Sequence, residues 1–143
     1  MTFVLHAQLA ADTLVVGDFP LSRLLLMNDA QYPWCILVPR IAGAKELHRL
    51  DDADQLQLLR ESVALARAME AVFKPHKMNV AALGNVVPQL HLHHIARYKG
   101  DAAWPAPVWG RHPAQAYEKT QAEDRLQQLR EALKVIDAVS AGR

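Results

Sequence analysis

The sequence predicts an α+β fold: an antiparallel sheet of about five strands with one long helix and a C-terminal helix. Three observations carry that prediction. Short aliphatic or β-branched runs separated by turn residues fill the first third, a three-and-four apolar period sets in at Asp51, and the runs follow the order βββ, helix, ββ, helix. The size agrees, because 143 residues with 51% apolar and 22% charged content is one domain able to bury a real core.

Thr13 to Val16, Arg23 to Met27 and Trp34 to Val38 are strand-like runs, punctuated by Gly17, Pro20, Asn28-Asp29, Pro33 and Pro39. They are expected to form a three-stranded meander. Leu56, Leu59, Val63, Ala66, Met69 and Phe73 then recur at helical spacing behind a possible N-cap, Asp51, and Pro75 stops the run. The spacing predicts an amphipathic helix of about six turns whose apolar stripe faces the core. Lys77 to Leu83 and Leu90 to Arg97 read as two more strands joined by Gly84-Asn85, a dipeptide suited to positive φ. Lys99 to Gln115 carries Trp104, Pro105, Pro107, Trp109 and Pro113 with almost no periodicity, the pattern of a functional loop or of an arm reaching across to something. Leu126, Leu129, Leu133 and Ile136 mark the last helix. No repeat or Gly/Ser linker divides the chain, so residues 1–143 are read as one domain with 116–143 as its helical extension.

Charge and cysteine content bound the function. The 16 Lys+Arg and 15 Asp+Glu leave a formal charge of +1, too little for a protein that neutralises many phosphates of a nucleic acid. The lone Cys35 forms no internal disulfide and sits in an apolar run, which fits a reducing cytoplasm. Met1 to Leu9 lacks a basic, apolar leader, and no run reaches the roughly 18 apolar residues of a membrane span. A cytoplasmic location is therefore expected.

The composition's odd feature is seven His, three of them at His91, His93 and His94. On a strand, Gln89, His91, His93, Ile95 and Arg97 share one face while Leu90, Leu92, His94 and Ala96 share the other. His94 thus belongs to the apolar side, as a hydrogen-bonded core or interface residue. Three readings of the polar face compete. The first is a merely solvated strand. The second is a zinc or nickel site, for which His6, His48, His76 and His112 lack ligand spacing and no Cys pair exists. The third is nucleophilic catalysis at phosphorus, in which a neutral imidazole attacks and a protonated neighbour serves the leaving group.

The stretch Gly84-Asn85-Val86-Val87-Pro88-Gln89-Leu90-His91-Leu92-His93-His94-Ile95 resembles the signature of the histidine triad (HIT) superfamily of nucleotide hydrolases and transferases. Trp34 to Arg40, the long helix and the Trp104 to Gly110 segment extend the resemblance, closest to a bacterial branch similar to diadenosine polyphosphate hydrolases. The resemblance implies a HIT-like fold and attack by His91 on the α-phosphorus of a nucleotide. His93 would contact the phosphate and help to protonate the leaving group. Gln89 takes the first triad position; it can donate to a phosphoryl oxygen but cannot titrate near neutral pH. Asn85 matches a phosphate-contacting amide, while Val86 replaces a common hydroxyl. Asn28 or Asp29 would meet the ribose, or else form an ordinary turn, and Leu25 and Met27 would wall a base pocket or pack in the core. Arg97 reaches a phosphate or ends the strand in solvent; Trp104 and Trp109 cover a nucleotide, pack on a partner subunit or anchor their own loop. The implied substrates are a dinucleoside polyphosphate or a nucleoside phosphoramidate, with no tightly bound cofactor and Mg²⁺ accompanying a polyphosphate. A homodimer is also implied. The alternative is a nucleotide-binding module with little or no catalysis.

Overall fold

The computed structural model describes residues 2–141, with side chains as far as residue 134. Its elements are α1 (Ala7–Asp12), β1 (Thr13–Asp18), β2 (Ser22–Met27), β3 (Trp34–Pro39), α2 (Asp52–Phe73), β4 (Lys77–Ala81), β5 (Leu92–Arg97) and α3 (Lys119–Ala141), with a single 3₁₀ turn at Leu47–Arg49. The five strands form one antiparallel sheet in the order β1-β2-β3-β5-β4. The expected α+β architecture is present, and β5, which carries His93 and His94, lies between β3 and β4.

Strand ends follow local chemistry. A register shift between Val15 and Gly17 marks a bulge in β1. β4 stops at Ala81 and β5 starts at Leu92, both shorter than their apolar runs, because Gly84 turns the chain at φ 72° and Pro88 has no N–H for a ladder. Two elements had no counterpart in the sequence reading. The short α1 is capped by the His6 ring, which accepts from Gln8 N, and the 3₁₀ turn ends on a bond from Leu50 N to Leu47 O.

The long helix is capped as expected: Asp51 Oδ1 accepts from Asp54 N at 2.8 Å, and Lys74 closes its end in the left-handed region at φ 48° just before Pro75. Its buried face keeps Met69 and Phe73 of the expected stripe but is rotated away from the others. Leu58, Leu65, Ala68 and Met69 pack on the sheet together with Glu61 and Ser62, whereas Leu56 (56%), Leu59 (59%) and Val63 (38%) are exposed. The physical reason is polar satisfaction. Glu61 Oε1 and Oε2 accept from Ser22 N (2.9 Å), Leu21 N (2.8 Å) and Gln57 Nε2 (2.8 Å), so the helix buries a carboxylate whose bonds anchor the start of β2. Each large side chain on that face adds about 1.5–3 kcal/mol of burial.

The sheet separates two apolar clusters. On one side Leu24, Leu26, Cys35, Leu37, Leu92 and Ala96 meet α2 and the α3 residues Leu129 and Leu133; the side chain of Ile136 lies outside the described residues. Burial raises the Cys35 thiol to about 12, which keeps it inert. On the other side Leu25, Trp34, Ile36, Val38 and Ile95 meet Leu9, Val87, Ala103 and Val108. That second face is covered by loops and by the short α1 rather than by the two long helices. The Lys99 to Gln115 stretch folds back onto its own chain, with Gln115 O accepting from Ala30 N at 2.7 Å. Among the described residues, no helix is long and apolar enough to cross a membrane.

Candidate active site

Antiparallel pairing builds the site on the loop-covered face. Leu25 faces Ile36 and Ile36 faces His93, so these side chains form one row across three strands. His91 lies immediately before β5 on the same side, its ring centroid 4.8 Å from that of His93 at 69°. Both histidines are nearly buried, at 6% and 5% exposure.

Hydrogen bonds define the protonation of each ring. His91 Nδ1 lies 2.7 Å from the backbone carbonyl of Gln89. A carbonyl only accepts, so Nδ1 carries a proton, and in the neutral form of the ring the lone pair is on Nε2. At His93 the polarity reverses, because the Trp34 indole N–H donates to Nδ1 at 3.0 Å. Nδ1 is therefore bare, and the hydrogen sits on Nε2. Burial, followed by the neighbouring His91 and His94, pushes the His93 pKa down to about 3. This differs from the protonated imidazole expected from the sequence: His93 is a neutral ring offering an N–H. Trp34 and Trp109 flank it, with centroids at 5.6 and 5.0 Å.

His94 faces the helices, as its place in the alternation predicts. Its Nδ1 pairs with Leu92 O at 3.2 Å and its Nε2 with Ser62 Oγ at 2.7 Å, so Nδ1 donates and Nε2 accepts. Burial lowers its pKa to about 4 against the opposing backbone bond to Leu92.

The remaining expected site residues fall into two groups. Asn85 stands on the exposed turn after Gly84, beside Val86 at 88% exposure, next to the histidines in the chain. The others are engaged within the chain. Gln89 Oε1 accepts from His6 N (2.8 Å) and its Nε2 donates to Val4 O (2.9 Å), so the amide pins the N-terminal segment beside the histidine turn. Asn28 Oδ1 accepts from Tyr117 N at 2.9 Å, and the buried Asp29 accepts from Gln31 N, Gln31 Nε2 and Gln115 N at 3.1, 3.0 and 3.4 Å. Both side chains tether the segment that leads to α3. Leu25 is fully buried and Met27 packs at the margin of the same cluster.

Arg97 requires the clearest correction, since it is neither solvated nor free for a phosphate. It is 1% exposed, and it donates to Asp101 (2.8 and 3.1 Å), Asn79 Oδ1 (2.8 Å) and Ala106 O (2.8 Å). Its guanidinium also lies 5.9 and 5.6 Å from the Tyr32 and Trp104 rings. The chain buried this charge because a short loop returns Asp101 and a carbonyl to it. Burial opposes ionisation of Asp101, but the bonds from Arg97, Tyr98 N, Trp104 N and Ala103 N prevail and bring its pKa to about 2. The two loop tryptophans divide accordingly: Trp104 stacks on the Arg97 bolt and edges His76 at 5.3 Å, while Trp109 covers His93.

Sequence reasoning missed Trp34 and the Val4–His6 backbone as parts of this site. Alternation from Trp34 to Ile36 places the indole on the site face, but its bond to His93 depends on strand pairing. Among the described residues, no three His, Cys, Asp or Glu converge as a metal set.

Comparison with known proteins gives a consistent result. The family model described as HIT domain matches residues 8–100. Three crystal structures are similar over nearly the whole chain. A histidine triad protein from Marinobacter aquaeolei VT8 is 51% identical, covering 94% of this chain and 98% of that one, with a TM-score of 0.92. One from Bradyrhizobium japonicum is 46% identical, covering 92% and 98%, with a TM-score of 0.91. A third, from Sinorhizobium meliloti 1021, is 38% identical, covering 92% and 97%, with a TM-score of 0.90. No functionally curated protein matches the chain.

Proposed function

The chain belongs to the HIT domain family, and from that premise we propose that it is a nucleotide hydrolase or nucleotidyl transferase working at the α-phosphate of a nucleoside phosphate derivative. The observation that carries this reading is the complementary protonation of two touching rings: His91 presents a lone pair at Nε2, and His93 presents an N–H at Nε2. A phosphoryl group placed between them meets a nucleophile and a donor at once.

His91 Nε2 attacks phosphorus as the bond from phosphorus to the leaving group breaks and that group departs with the electron pair, while Nδ1–H stays on the Gln89 carbonyl, which steadies the positive charge of the nucleotidyl-histidine. His93 Nε2–H holds a phosphoryl oxygen. Water or another acceptor then releases the nucleotide. Asn85 and the backbone of its turn are suited to the remaining phosphate oxygens. Mg²⁺ accompanies a polyphosphate substrate as part of that substrate.

His91→Ala is expected to lower turnover of a dinucleoside polyphosphate and of a fluorogenic nucleoside phosphoramidate by at least about 10³-fold. Equal turnover in wild type and variant removes His91 from the mechanism. A binding module without catalysis is the second reading, favoured by the Gln89 amide, whose N–H is held by Val4. Micromolar nucleotide binding in calorimetry without product over hours would select it.

The same reading includes a homodimer. The exposed Leu56, Leu59 and Val63 on α2 and Val80 on the edge strand β4 give a second copy an apolar surface to cover. Sedimentation at twice the chain mass is expected, and a monomer at micromolar concentration would end this part of the proposal.

A further inference from the structure

We propose that Trp34 is a positioning residue that holds His93 as a neutral Nε2–H donor, so that the site serves nucleoside phosphates whose leaving group departs as a stable anion. Phosphate, pyrophosphate, sulfate and carboxylate meet that condition; amines and alcohols do not. The proposal rests on the reaction of the preceding subsection and narrows its substrate class.

The argument begins with the indole. A tryptophan side chain has one N–H and no acceptor, so the Trp34 to His93 bond at 3.0 Å can run in one direction only. Adding a proton to Nδ1 would set N–H against N–H and leave the indole, on a residue 6% exposed, without a partner. His93 also lies among groups that do not favour its cation. Trp34 and Ile36 come from β3, Ala81 is its partner on β4, Trp109 comes from the loop, and the titratable neighbours are His91 on the same face and His94 next in the chain. His91 repels a second positive charge and is itself cationic once bonded to phosphorus. The low pKa of about 3 agrees with this setting, burial being its first cause.

The consequence concerns proton supply. A neutral imidazole gives a hydrogen bond but does not release its Nε2 proton near neutral pH. Gln89 and Asn85 are amides. His6, the other imidazole that Gln89 brings to this turn, uses Nδ1 as an acceptor for Gln8 N. His91 Nδ1–H faces the Gln89 carbonyl, away from the nitrogen that attacks. In the first step the Nε2 lone pair forms the N–P bond as the P–O bond to the leaving group breaks, and that bond's electron pair leaves on the anhydride oxygen. The departing group is then an anion that needs no proton. In the second step water attacks phosphorus, the N–P pair returns to Nε2 and a water proton passes to solvent. For a phosphoramidate the same first step would expel an unprotonated amide anion. That route lacks the general acid, whose contribution is about 10²–10⁴-fold.

Two measurements test this. Protein with ¹⁵N-labelled histidine, followed by long-range ¹H–¹⁵N spectra from pH 8 to 5, is expected to show His93 neutral with hydrogen on Nε2 throughout. Trp34→Phe, which keeps the ring and deletes the N–H, is expected to move the His93 midpoint toward the ordinary value of about 6.5. Trp109→Phe, which leaves the N–H in place, is expected to keep the tautomer. In parallel, a dinucleoside polyphosphate is expected to exceed a nucleoside phosphoramidate of an alkylamine in kcat/KM by at least about 100-fold, with the gap narrowing at pH 6 in Trp34→Phe. Titration of wild-type His93 near pH 6.5, or turnover of the phosphoramidate within about tenfold of the anhydride, overturns the proposal. The wild-type spectra decide the tautomer even if Trp34→Phe does not fold. A fixed tautomer with turnover of neither substrate overturns the reaction itself and the leaving-group rule with it, while upholding the role of Trp34.

Discussion

His93 and His94 are neighbours in the chain, are both buried, are both held neutral, and are used in opposite ways. On the helix side both nitrogens of His94 are occupied, one by Leu92 O and one by Ser62 Oγ. On the loop side His93 receives a bond at Nδ1 from Trp34 and keeps its Nε2–H for something outside the chain. The difference lies in the partner's polarity. A hydroxyl can give or take a hydrogen and adapts to the ring, whereas an indole can only give and therefore dictates the tautomer. The same contrast extends to the two faces of the sheet. One is closed by α2 and α3 over a largely aliphatic cluster, the other by apolar loop residues that buried polar bonds, Arg97 to Ala106 O among them, fasten over the histidines.

The largest expected effect tests that second statement. Arg97→Met deletes a buried charge that bonds Asp101, Asn79 and Ala106, and is expected to destabilise the fold by about 3–5 kcal/mol in denaturant unfolding. A loss below about 1 kcal/mol would mean that the loop face is held by its apolar contacts after all. The Asp101 carboxylate supplies a linked pH test. Its folded pKa is lowered to about 2 from 3.8, so its contribution is fully present above about pH 4 and is lost as pH falls toward 2.

Next in size is the behaviour of the histidine pair in mild acid. The folded pKa of His94, about 4, lies below the unfolded 6.5, so the unfolded chain binds more protons throughout that interval. Stability contributed by neutral His94 is complete above pH 6.5 and falls by about 3 kcal/mol on approach to pH 4. His93, lowered to about 3, adds to the slope. Unfolding free energies measured between pH 7 and 4 are expected to decline steeply, and His94→Gln is expected to flatten the curve. An unchanged curve in that variant would show that the two buried rings are not equivalent in acid.

The smallest effect separates structure from chemistry. Ser62→Ala removes the hydroxyl that pairs with His94 Nε2 and is expected to cost about 1–3 kcal/mol of stability while turnover at the other face stays within twofold. A drop in turnover comparable to that of His91→Ala would couple the two faces and break the comparison.

The fold was readable because its signals are local. Strand alternation, Asp51 as a cap, Pro75 as a stop and the βββ-helix-ββ-helix order all depend on residues within a few positions of one another, and they placed every strand of the sheet. The buried stripe of α2 was read correctly at Met69 and Phe73 and misread at its start, because an all-apolar row is a stronger pattern than a row containing Glu61 and Ser62. Those two polar groups are buried because Leu21 N, Ser22 N and His94, distant in sequence, satisfy them. Arg97 was misread for the same reason. At the candidate site, the alternation of Gln89, His91 and His93 against His94 was legible, since the two faces of a strand follow from its period. Trp34 as the donor to His93 was not, because 59 positions separate the two residues.

What the sequence determined by itself is the set of reactive groups and the face on which they stand: two imidazoles at i and i+2, an amide at the first position of the motif, and one further imidazole turned inward. What only the tertiary structure decided is the state of those groups. A proton sits on one imidazole nitrogen or the other according to which group lies within about 3 Å of it. Those groups, a carbonyl at His91, an indole at His93 and a hydroxyl at His94, are brought there by strand pairing, helix docking and the turn at Gln89.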